Sequence, residues 1–291
     1  MISVVILTLN EEGNLPRCLA SLSQCDDIVV LDSGSTDRTA DIAREHGARV
    51  FTNRFENFAQ QRNFAHEKIP FRHPWLLHLD ADEQMTPELW GECCEIAQKD
   101  LGPPGGTASA TRRPPPDSPA IYDGYYVAPR MIFRGRWIPH CTDYPSYQAR
   151  LVHAARFRFI QVGHGQREAP GLRIGTLRAS YLHDLSAAPE PHWLAKHRRY
   201  AAGEVATHLA QRRSAPPPRL RDLLSRDRLT RRRTLQRFAF HLPFRPQLRF
   251  VYQYILRRGF LDGLPGLRYC RLLMHYERFI VEALREAKAK R

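Results

Sequence analysis

Short apolar strands alternate with helical patterns through the first 100 residues, and this alternation restricts the chain to few folds. Residues 3–9 read SVVILTL, a run that is typical of a parallel strand buried on both faces. Three more strands and three helices follow the same pattern, the strands at 28–31, 49–52 and 75–79 and the helices at 12–23, 36–46 and 56–67. This order predicts an α/β fold with a doubly wound sheet, whose ligand crevice lies beyond the carboxyl ends of the strands.

The regular alternation stops at residues 102–119, which read GPPGGTASATRRPPPDSP and have no apolar period. This composition predicts a flexible insertion. Beyond it we expect a hairpin over 122–138, a strand within 149–162 and a closing strand within 177–183. The chain is therefore divided into an α/β domain over residues 1–185 and a helical region over residues 190–291.

Charge separates the two ends of the chain. Residues 1–100 hold 9 Lys and Arg against 17 Asp and Glu, whereas the whole chain has a net charge of +14, so residues 101–291 carry +22. Basic clusters at 212–213, 231–233 and 257–258 are interleaved with aromatic residues. This pattern favours binding to an anionic membrane surface. Nucleic-acid binding and a solvated face over a helical core are the alternatives, and no RNA-binding or helix-turn-helix signature supports the former.

The final helix is predicted to be amphipathic. Arg268, Arg271 and His275 begin a polar stripe at steps of three and four, with Ile280 and Leu284 on the opposite side. No uncharged run reaches the ~20 residues of a spanning helix, and residues 1–9 lack the basic leader of a signal peptide. The six cysteines form no CxxC pair, which favours a reducing cytoplasm.

Two carboxylates mark the predicted crevice. Asp80 and Asp82 follow the apolar strand 75–79 in the segment HLDADE. Because they lie at the carboxyl end of a central strand, their oxygens are placed to hold Mg²⁺ or Mn²⁺ against a diphosphate. An exposed pair of loop acids is the plainer interpretation of such a motif.

The ends of the first two strands are also polar. Asp32 opens the segment DSGSTD after the second strand, and its carboxylate is suited to accept hydrogen bonds from a ribose or a base. Asn10 and Glu11 follow the first strand, where capping of the first helix explains them equally well. The chain has no GxGxxG after its first strand and no GxxxxGK[ST], which disfavours a dehydrogenase or a P-loop NTPase.

Four segments in this order, SVVILTLNEEGNL, IVVLDSGSTDRT, Gln61-Arg62-Asn63 and LHLDADE, resemble the inverting family 2 glycosyltransferases with a GT-A fold. The later segments DGYYVAPRMIFRGRWI, YPSYQARL, GHGQRE and RRGFLDG are similar to the branch that contains the lipopolysaccharide core β-1,4-glucosyltransferases. The resemblance covers most of the chain outside 102–119.

By position, the resemblance implies nucleotide-sugar contacts at six residues: Thr8, Asn10, Glu11, Asp32, Arg62 and Asp80. It also implies that Asp82 is the direct metal ligand and that Asp80 contacts the ribose or the metal. The expected cofactor is Mg²⁺ or Mn²⁺. The Glu-Asp pair that supplies the base in many relatives is absent after residue 120.

The segment GHGQRE is the expected replacement, because inverting transfer needs a carboxylate or imidazole to deprotonate the acceptor hydroxyl. Glu168 is the first candidate for the catalytic base, His164 the second and Asp143 a weaker third. The plainer interpretation pairs Glu168 with Arg167 or Arg150 on the surface. His183, His192 and His197 have irregular spacing and are assigned no ligand role.

The resemblance implies transfer of a hexose from a nucleotide-diphosphate sugar, UDP-glucose or similar, to a lipid-linked saccharide in lipopolysaccharide core or other cell-surface glycan synthesis. The enzyme is then expected in the cytoplasm, on the inner face of the cytoplasmic membrane. The main alternative is a catalytically degenerate protein of this fold that acts as a basic nucleic-acid or lipid adaptor. A sugar nucleotidyltransferase is disfavoured because the chain has no glycine-rich phosphate loop near its start.

Overall fold

A computed structural model describes residues 1–100, 122–162, 165–186, 189–214 and 242–289, together with positions 222, 225, 227, 231 and 234. The predicted insertion at 102–119 lies outside these residues, as do the side chains at 212–213 and 232–233. The chain forms two compact units. The first comprises Met1–Ile132 and Tyr144–Ala187, and the second comprises Phe133–Asp143 and Ala188–Arg291.

A seven-stranded sheet organises the first unit. Its strands are β1 (Ser3–Thr8), β2 (Ile28–Asp32), β3 (Arg49–Thr52), β4 (Trp75–Asp80), β6 (Gly124–Val127), β9 (Gln148–His153) and β12 (Ile174–Thr176). They lie in the order β12-β6-β9-β4-β1-β2-β3. Neighbours among β1 to β4 are parallel, whereas β9 is antiparallel to both β4 and β6. The predicted α/β fold class is confirmed, and its sheet is mixed.

Helices cover both faces of this sheet. They are α1 (Leu15–Ala20), α2 (Thr39–Glu45), α3 (Phe58–Lys68) and α4 (Pro87–Asp100). Val4 and Ile6 of β1 are buried in one apolar cluster with residues of α1, α2 and α4, whereas Val5 is buried in another with α3. Successive residues of a strand point to opposite faces, so the central residues of β1 must all be apolar.

The three helices α1, α2 and α3 begin two or three residues later than the sequence pattern predicts. The N–H groups of Asn14 and Leu15 donate to the carbonyl of Glu11, so a turn precedes α1. The Asp37 carboxylate accepts the backbone N–H of Thr39 at 3.0 Å and satisfies a donor at the start of α2. Helix α4 begins with Pro87, and the Thr86 hydroxyl before it accepts the N–H of Leu89.

The later strands of the first unit form two small sheets. The first contains β5 (Glu83–Gln84), β7 (Arg130–Phe133) and β13 (Leu182–Asp184), and the second is the hairpin of β10 (Phe159–Val162) and β11 (Gly165–Glu168). The hairpin predicted over 122–138 is confirmed only for its second half, where β7 pairs with β8 (Arg136–Trp137) across the turn at Arg134 and Gly135. Strand β6, in the first half, pairs with β9 and β12 in the large sheet instead.

The second unit is largely helical. It contains β8 (Arg136–Trp137), α5 (Glu190–Ser214), α6 (Arg245–Val251), a π turn at Tyr252–Leu256, a 3₁₀ turn at Gly259–Asp262 and α7 (Gly263–Ala289). Buried apolar residues of α5 and α7 pack together, and the Tyr276 hydroxyl donates to Glu204 at 2.6 Å. Over the described residues, the helices are too short or too polar to cross a membrane.

One buried carboxylate joins the two segments of this unit. Asp262 accepts the backbone N–H of Cys141 at 2.7 Å and lies 2.7 Å from Nδ1 of His140. Gly259 and Gly266 lie beside the same contact, where the Cys141 thiol is 3.5 Å from the carbonyl oxygen of each. The short segment before residue 144 is therefore packed against a turn formed more than 100 residues later.

Gly266→Ala is expected to destabilise the protein by about 1–3 kcal/mol, because its Cβ would lie 2.6 Å from the Gly259 carbonyl oxygen and 2.7 Å from Cβ of Asp262. Gly203→Ala is the matched control in helix α5. Nothing lies within 4 Å of its added Cβ, so it should stabilise by up to ~1 kcal/mol. Thermal unfolding midpoints measure both changes, and equal midpoints for the two variants would contradict this packing.

Candidate functional site

The loops after β1 and β2 are hydrogen-bonded to each other at the carboxyl edge of the sheet. The Asn10 side chain accepts the N–H of Thr36 at 2.8 Å, and the N–H of Asn10 donates to the Ser35 hydroxyl at 2.8 Å. The N–H of Glu11 donates to the Thr39 hydroxyl, and the Glu11 carboxylate accepts from Asn14. Asn10 adopts a left-handed conformation with φ 56°, which turns the chain sharply after β1. The loops thus form one ordered rim.

Asp32 is the centre of this rim. Its Oδ1 accepts from the hydroxyls of Thr8 and Ser35, and its Oδ2 accepts the N–H groups of Gly34 and Ser35. A carboxylate has about four acceptor positions, so these four donors fill them. The carboxylate therefore holds the loop and Thr8 in place. The sequence of a strand-to-helix turn does not show that its Asp has this structural role.

Asp80 lies at the end of β4 and accepts from two arginines. Arg62 of α3 donates Nη2 to Oδ1 at 3.0 Å, and Arg150 of β9 donates Nη2 to Oδ2 at 3.1 Å. Both arginine side chains are buried, whereas that of Asp80 is about a third exposed. Burial alone would raise the pKa of Asp80, but the two guanidinium groups hold it well below its usual range.

Glu83 completes this charge cluster. It is fully buried, accepts from Arg150 Nη2 at 2.6 Å and accepts the backbone N–H of Asp80 at 2.8 Å. Burial raises the pKa of Glu83 to about 7, while Arg150 opposes that shift. Arg150 also donates Nε to the Tyr181 hydroxyl at 3.2 Å. We name Arg62, Asp80, Glu83 and Arg150 the buried charge cluster.

Arg62 keeps donor capacity that the protein does not use. Its Nε and Nη1 are buried and have no hydrogen-bond partner among the described residues. Burial lowers the pKa of Arg62 to about 10. An unsatisfied buried donor is costly, more so on a charged group, and an anion placed against Arg62 would remove that cost. The arrangement can therefore bind an anionic ligand at the crevice.

Asp82 takes no part in the contacts that Arg62 and Arg150 make with Asp80 and Glu83. Its Oδ2 is 3.4 Å from Nε2 of His183, and its side chain is 33% exposed. The register of β5 and β13 sets Glu83 opposite His183, which brings the imidazole beside the acidic segment. Burial lowers the pKa of His183, but Asp82 and Glu83 outweigh it and raise the value to about 8. Over the described residues, no three His, Cys, Asp or Glu side chains are arranged as a metal site.

Glu168 is carried by a hairpin attached to α3. Asn63 donates to the carbonyl of Phe159 at 2.9 Å and accepts its N–H at 3.0 Å, and the hairpin register pairs Phe159 with Glu168. The Tyr126 hydroxyl donates to Glu168 Oε1. Burial and this contact raise the pKa of Tyr126 to about 12. Since the Phe159 ring also lies under the Arg62 guanidinium, Glu168 is joined to the cluster through one aromatic residue.

The structure brings together Thr8, Asn10, Glu11 and Asp32 at the rim and Arg62 and Asp80 in the cluster. His164, the second candidate base, lies outside the described residues. Arg150 is buried and pairs with Asp80 and Glu83, so in the plainer interpretation only Arg167 is left as the surface partner of Glu168. Asp143, the weaker candidate, belongs to the second unit and lies 3.6 Å from Arg257.

Sequence reasoning missed two residues of the site. The sequence contains a signal for Arg150, because β9 (QARLVH) has this arginine between the apolar residues Ala149 and Leu151. His183 left none, because its contact with Asp82 depends on the pairing of two short strands about a hundred residues apart.

Residues 3–103 match the family model described as Glycosyl transferase family 2. A TPR repeat-containing protein of Synechococcus elongatus is 42% identical over 93 residues, which cover 31% of this chain and 23% of that protein. The lipopolysaccharide core biosynthesis glycosyltransferase LpsC of Rhizobium meliloti is 38% identical over 93 residues, 30% of this chain and 34% of that protein. The chain thus spans about a third or less of the length of these relatives.

Among solved structures, the mannosyltransferase PcManGT of Pyrobaculum calidifontis, in complex with GDP-Man and Mn²⁺, is 16% identical. The similarity covers 98% of this chain and 87% of that one, with a TM-score of 0.46. The family match covers β1 to β4, the two loops of the rim and the Asp80–Glu83 segment. Residues 3–103 are therefore similar to the glycosyl transferases of family 2, and this similarity includes both loops of the rim and the acidic segment after β4.

Proposed function

We propose that the protein is an inverting glycosyltransferase that moves a hexose from a nucleotide-diphosphate sugar to a saccharide acceptor. The observation that carries this proposal is the buried guanidinium of Arg62, whose Nε and Nη1 lack partners beside Asp80. A diphosphate supplies the negative charge and the several acceptor oxygens that such a group needs. The match of residues 3–103 to family 2 supports the same chemistry.

The nucleoside binds along the rim in this proposal. Thr8 ends β1 and Asn10 and Glu11 lie on the loop after it, while Asp32 accepts from the Thr8 hydroxyl and fixes the end of the strand. Because the two loops share hydrogen bonds, little conformational entropy is lost when a ligand binds. Asp80 then lies between the nucleoside and the diphosphate, with its orientation set by Arg62 and Arg150.

A divalent cation, Mg²⁺ or Mn²⁺, fits the donor set at Asp82. Its carboxylate is partly exposed and contacts no guanidinium among the described residues, and the imidazole of His183 lies beside it. Both oxygens of Asp80 already accept from arginine, so Asp82 is the better ligand of the two. When bound, the cation neutralises charge that develops on the leaving diphosphate. Asp82 would hold it, and His183 would join it once its imidazole has lost a proton, while Arg62 would donate to the diphosphate.

Glu168 is the proposed catalytic base. Its carboxylate is half-buried and accepts from the Tyr126 hydroxyl, which fixes the orientation of the group. The proton of the acceptor hydroxyl passes to Glu168 as that oxygen attacks the anomeric carbon, and the carbon–diphosphate bond breaks on the opposite face. His164 stays the alternative base.

We further propose that the donor is UDP-glucose or a similar sugar nucleotide. The proposed acceptor is a lipid-linked saccharide of lipopolysaccharide core or another cell-surface glycan, and LpsC, named as a lipopolysaccharide core glycosyltransferase, supports this choice. The protein would then act in the cytoplasm, on the inner face of the cytoplasmic membrane. Its basic helical region suits an anionic membrane surface.

Donor binding is tested by thermal shift with UDP, GDP and dTDP, each with and without Mn²⁺. We expect UDP to stabilise the wild type by ~2.7 kcal/mol at 100 times its Kd. Asp82→Asn should lose the increment due to Mn²⁺ because it removes a ligand charge. The control is Asp41→Asn, which removes an exposed carboxylate from α2. Equal Mn²⁺ increments in the wild type and Asp82→Asn would refute the cation assignment, and stabilisation by none of the nucleotides would refute the donor site.

Arg62→Lys tests the diphosphate contact. Lysine keeps a positive charge near Asp80 but lacks the guanidinium donors that have no partner, so UDP should bind roughly ten- to a hundredfold more weakly. Uridine affinity should be unchanged. Calorimetry with both ligands separates the two effects, and Arg44→Lys on the exposed face of α2 is the control. An equal loss for uridine and UDP would show that Arg62 acts only on the fold.

Glu168→Gln should lower turnover by roughly 10² to 10⁴ and leave UDP affinity nearly unchanged, because the amide cannot accept the proton. Tyr126→Phe is the comparison variant, since it removes only the hydrogen bond to Glu168. We expect it to retain more activity than Glu168→Gln in assays of sugar transfer. If His164→Ala has the larger defect and Glu168→Gln turns over normally, the base is His164.

A further inference from the structure

The second unit contains a cationic cavity that the proposed transfer reaction does not use. Its volume is about 370 Å³, within the lower part of the range of ~300–1,000 Å³ common for small-molecule sites. Five of its six lining residues are ionisable: Arg134, Glu190, Arg268, Arg271 and His275, with Leu272 as the sixth. All six belong to the second unit.

Positive charge in this cavity exceeds negative charge. Arg134 pairs with Glu190 at 3.2 Å, and Glu190 is the one carboxylate among the lining residues. Within the part of the chain that the structure describes, no carboxylate pairs with Arg268 or Arg271. With His275 neutral, three arginines and one glutamate leave a formal charge of +2. Such a group of like charges favours an anion in its centre.

Three separate segments form the cavity. Arg268, Arg271 and His275 follow one another at steps of three and four, so they share one face of helix α7. Arg134 lies at the turn before β8, where it adopts φ 51° next to Gly135 at φ 75°. Glu190 is the first residue of α5. The segment with Arg134 is held to the start of α7 through the contacts of Asp262 with His140 and Cys141.

The chemistry of the lining selects the ligand class. Guanidinium groups present N–H donors in a fixed fork that matches the oxygens of a phosphate. Leu272 is the one apolar side chain of the lining and is itself buried, so the cavity offers little surface to an acyl chain. We propose that this cavity binds the phosphate group of a small organic phosphate or of a lipid headgroup. All of its lining residues belong to the second unit, whereas the proposed nucleotide site belongs to the first.

Binding is measured on the full chain with two probes. Isothermal calorimetry with glycerol 3-phosphate tests a soluble source, and flotation with phosphatidylcholine vesicles that contain or lack phosphatidic acid tests a headgroup. Arg268→Gln/Arg271→Gln should weaken whichever probe binds by roughly ten- to a hundredfold, since it removes two charged donors. Arg278→Gln/Arg285→Gln removes two exposed charges from the same helix outside the cavity and should have little effect.

Binding of either probe that is lost only in the cavity variant supports the proposal and identifies the source of the phosphate. The proposal is overturned if the wild type binds neither probe. It is also overturned if the affinity of both double variants falls by the same factor, because the positive charge of α7 then attracts the probe without a specific site. Unfolding midpoints of the two variants are compared first, and Arg268→Lys/Arg271→Lys, which keeps the charge, should recover part of the binding.

Discussion

Two guanidinium groups and two carboxylates meet at the end of β4, and the geometry of the candidate site depends on their balance. Arg62, Glu83 and Arg150 are taken out of water at a cost of several kcal/mol each, which is recovered only when every partner is present in good geometry. Arg150 bridges Asp80 and Glu83, and Arg62 contacts Oδ1 of Asp80. The formal charges of the cluster cancel without a ligand, so what remains unsatisfied is the hydrogen-bonding capacity of Arg62.

The cluster also joins parts of the chain that the family match does not include. Residues 3–103 supply Arg62, Asp80 and Glu83, whereas Arg150 comes from β9, which lies antiparallel beside β4. The strands after residue 120 also supply Glu168, from β11, and His183, from β13. In the proposed site, residues 3–103 thus provide the surface for the nucleotide, and the strands after residue 120 provide a counter-charge and the proposed base.

Much of the fold is predictable from the sequence because buried parallel strands require apolar runs. The strands at β1 to β4 and the cap at Thr86 follow from local patterns alone. The pairing of the later strands does not follow from local patterns. Strands β6 and β7 are both short and contain aromatic residues, and only tertiary contacts determine which sheet each of them joins. In the site, Asp80 and Asp82 were predictable from their position after a strand. Their different surroundings, two arginines for Asp80 and one histidine for Asp82, were not.

The division of the second unit into two segments affects how the protein is synthesised. Ile138 and Cys141 are buried, and Asp262, which binds the Cys141 backbone, is 121 residues further along the chain. At translation rates of about 5–20 residues per second, roughly 6 to 24 s pass before that partner is made. During this interval the emerging chain has an apolar segment without its native cover, so the second unit cannot be completed until helix α7 has left the ribosome.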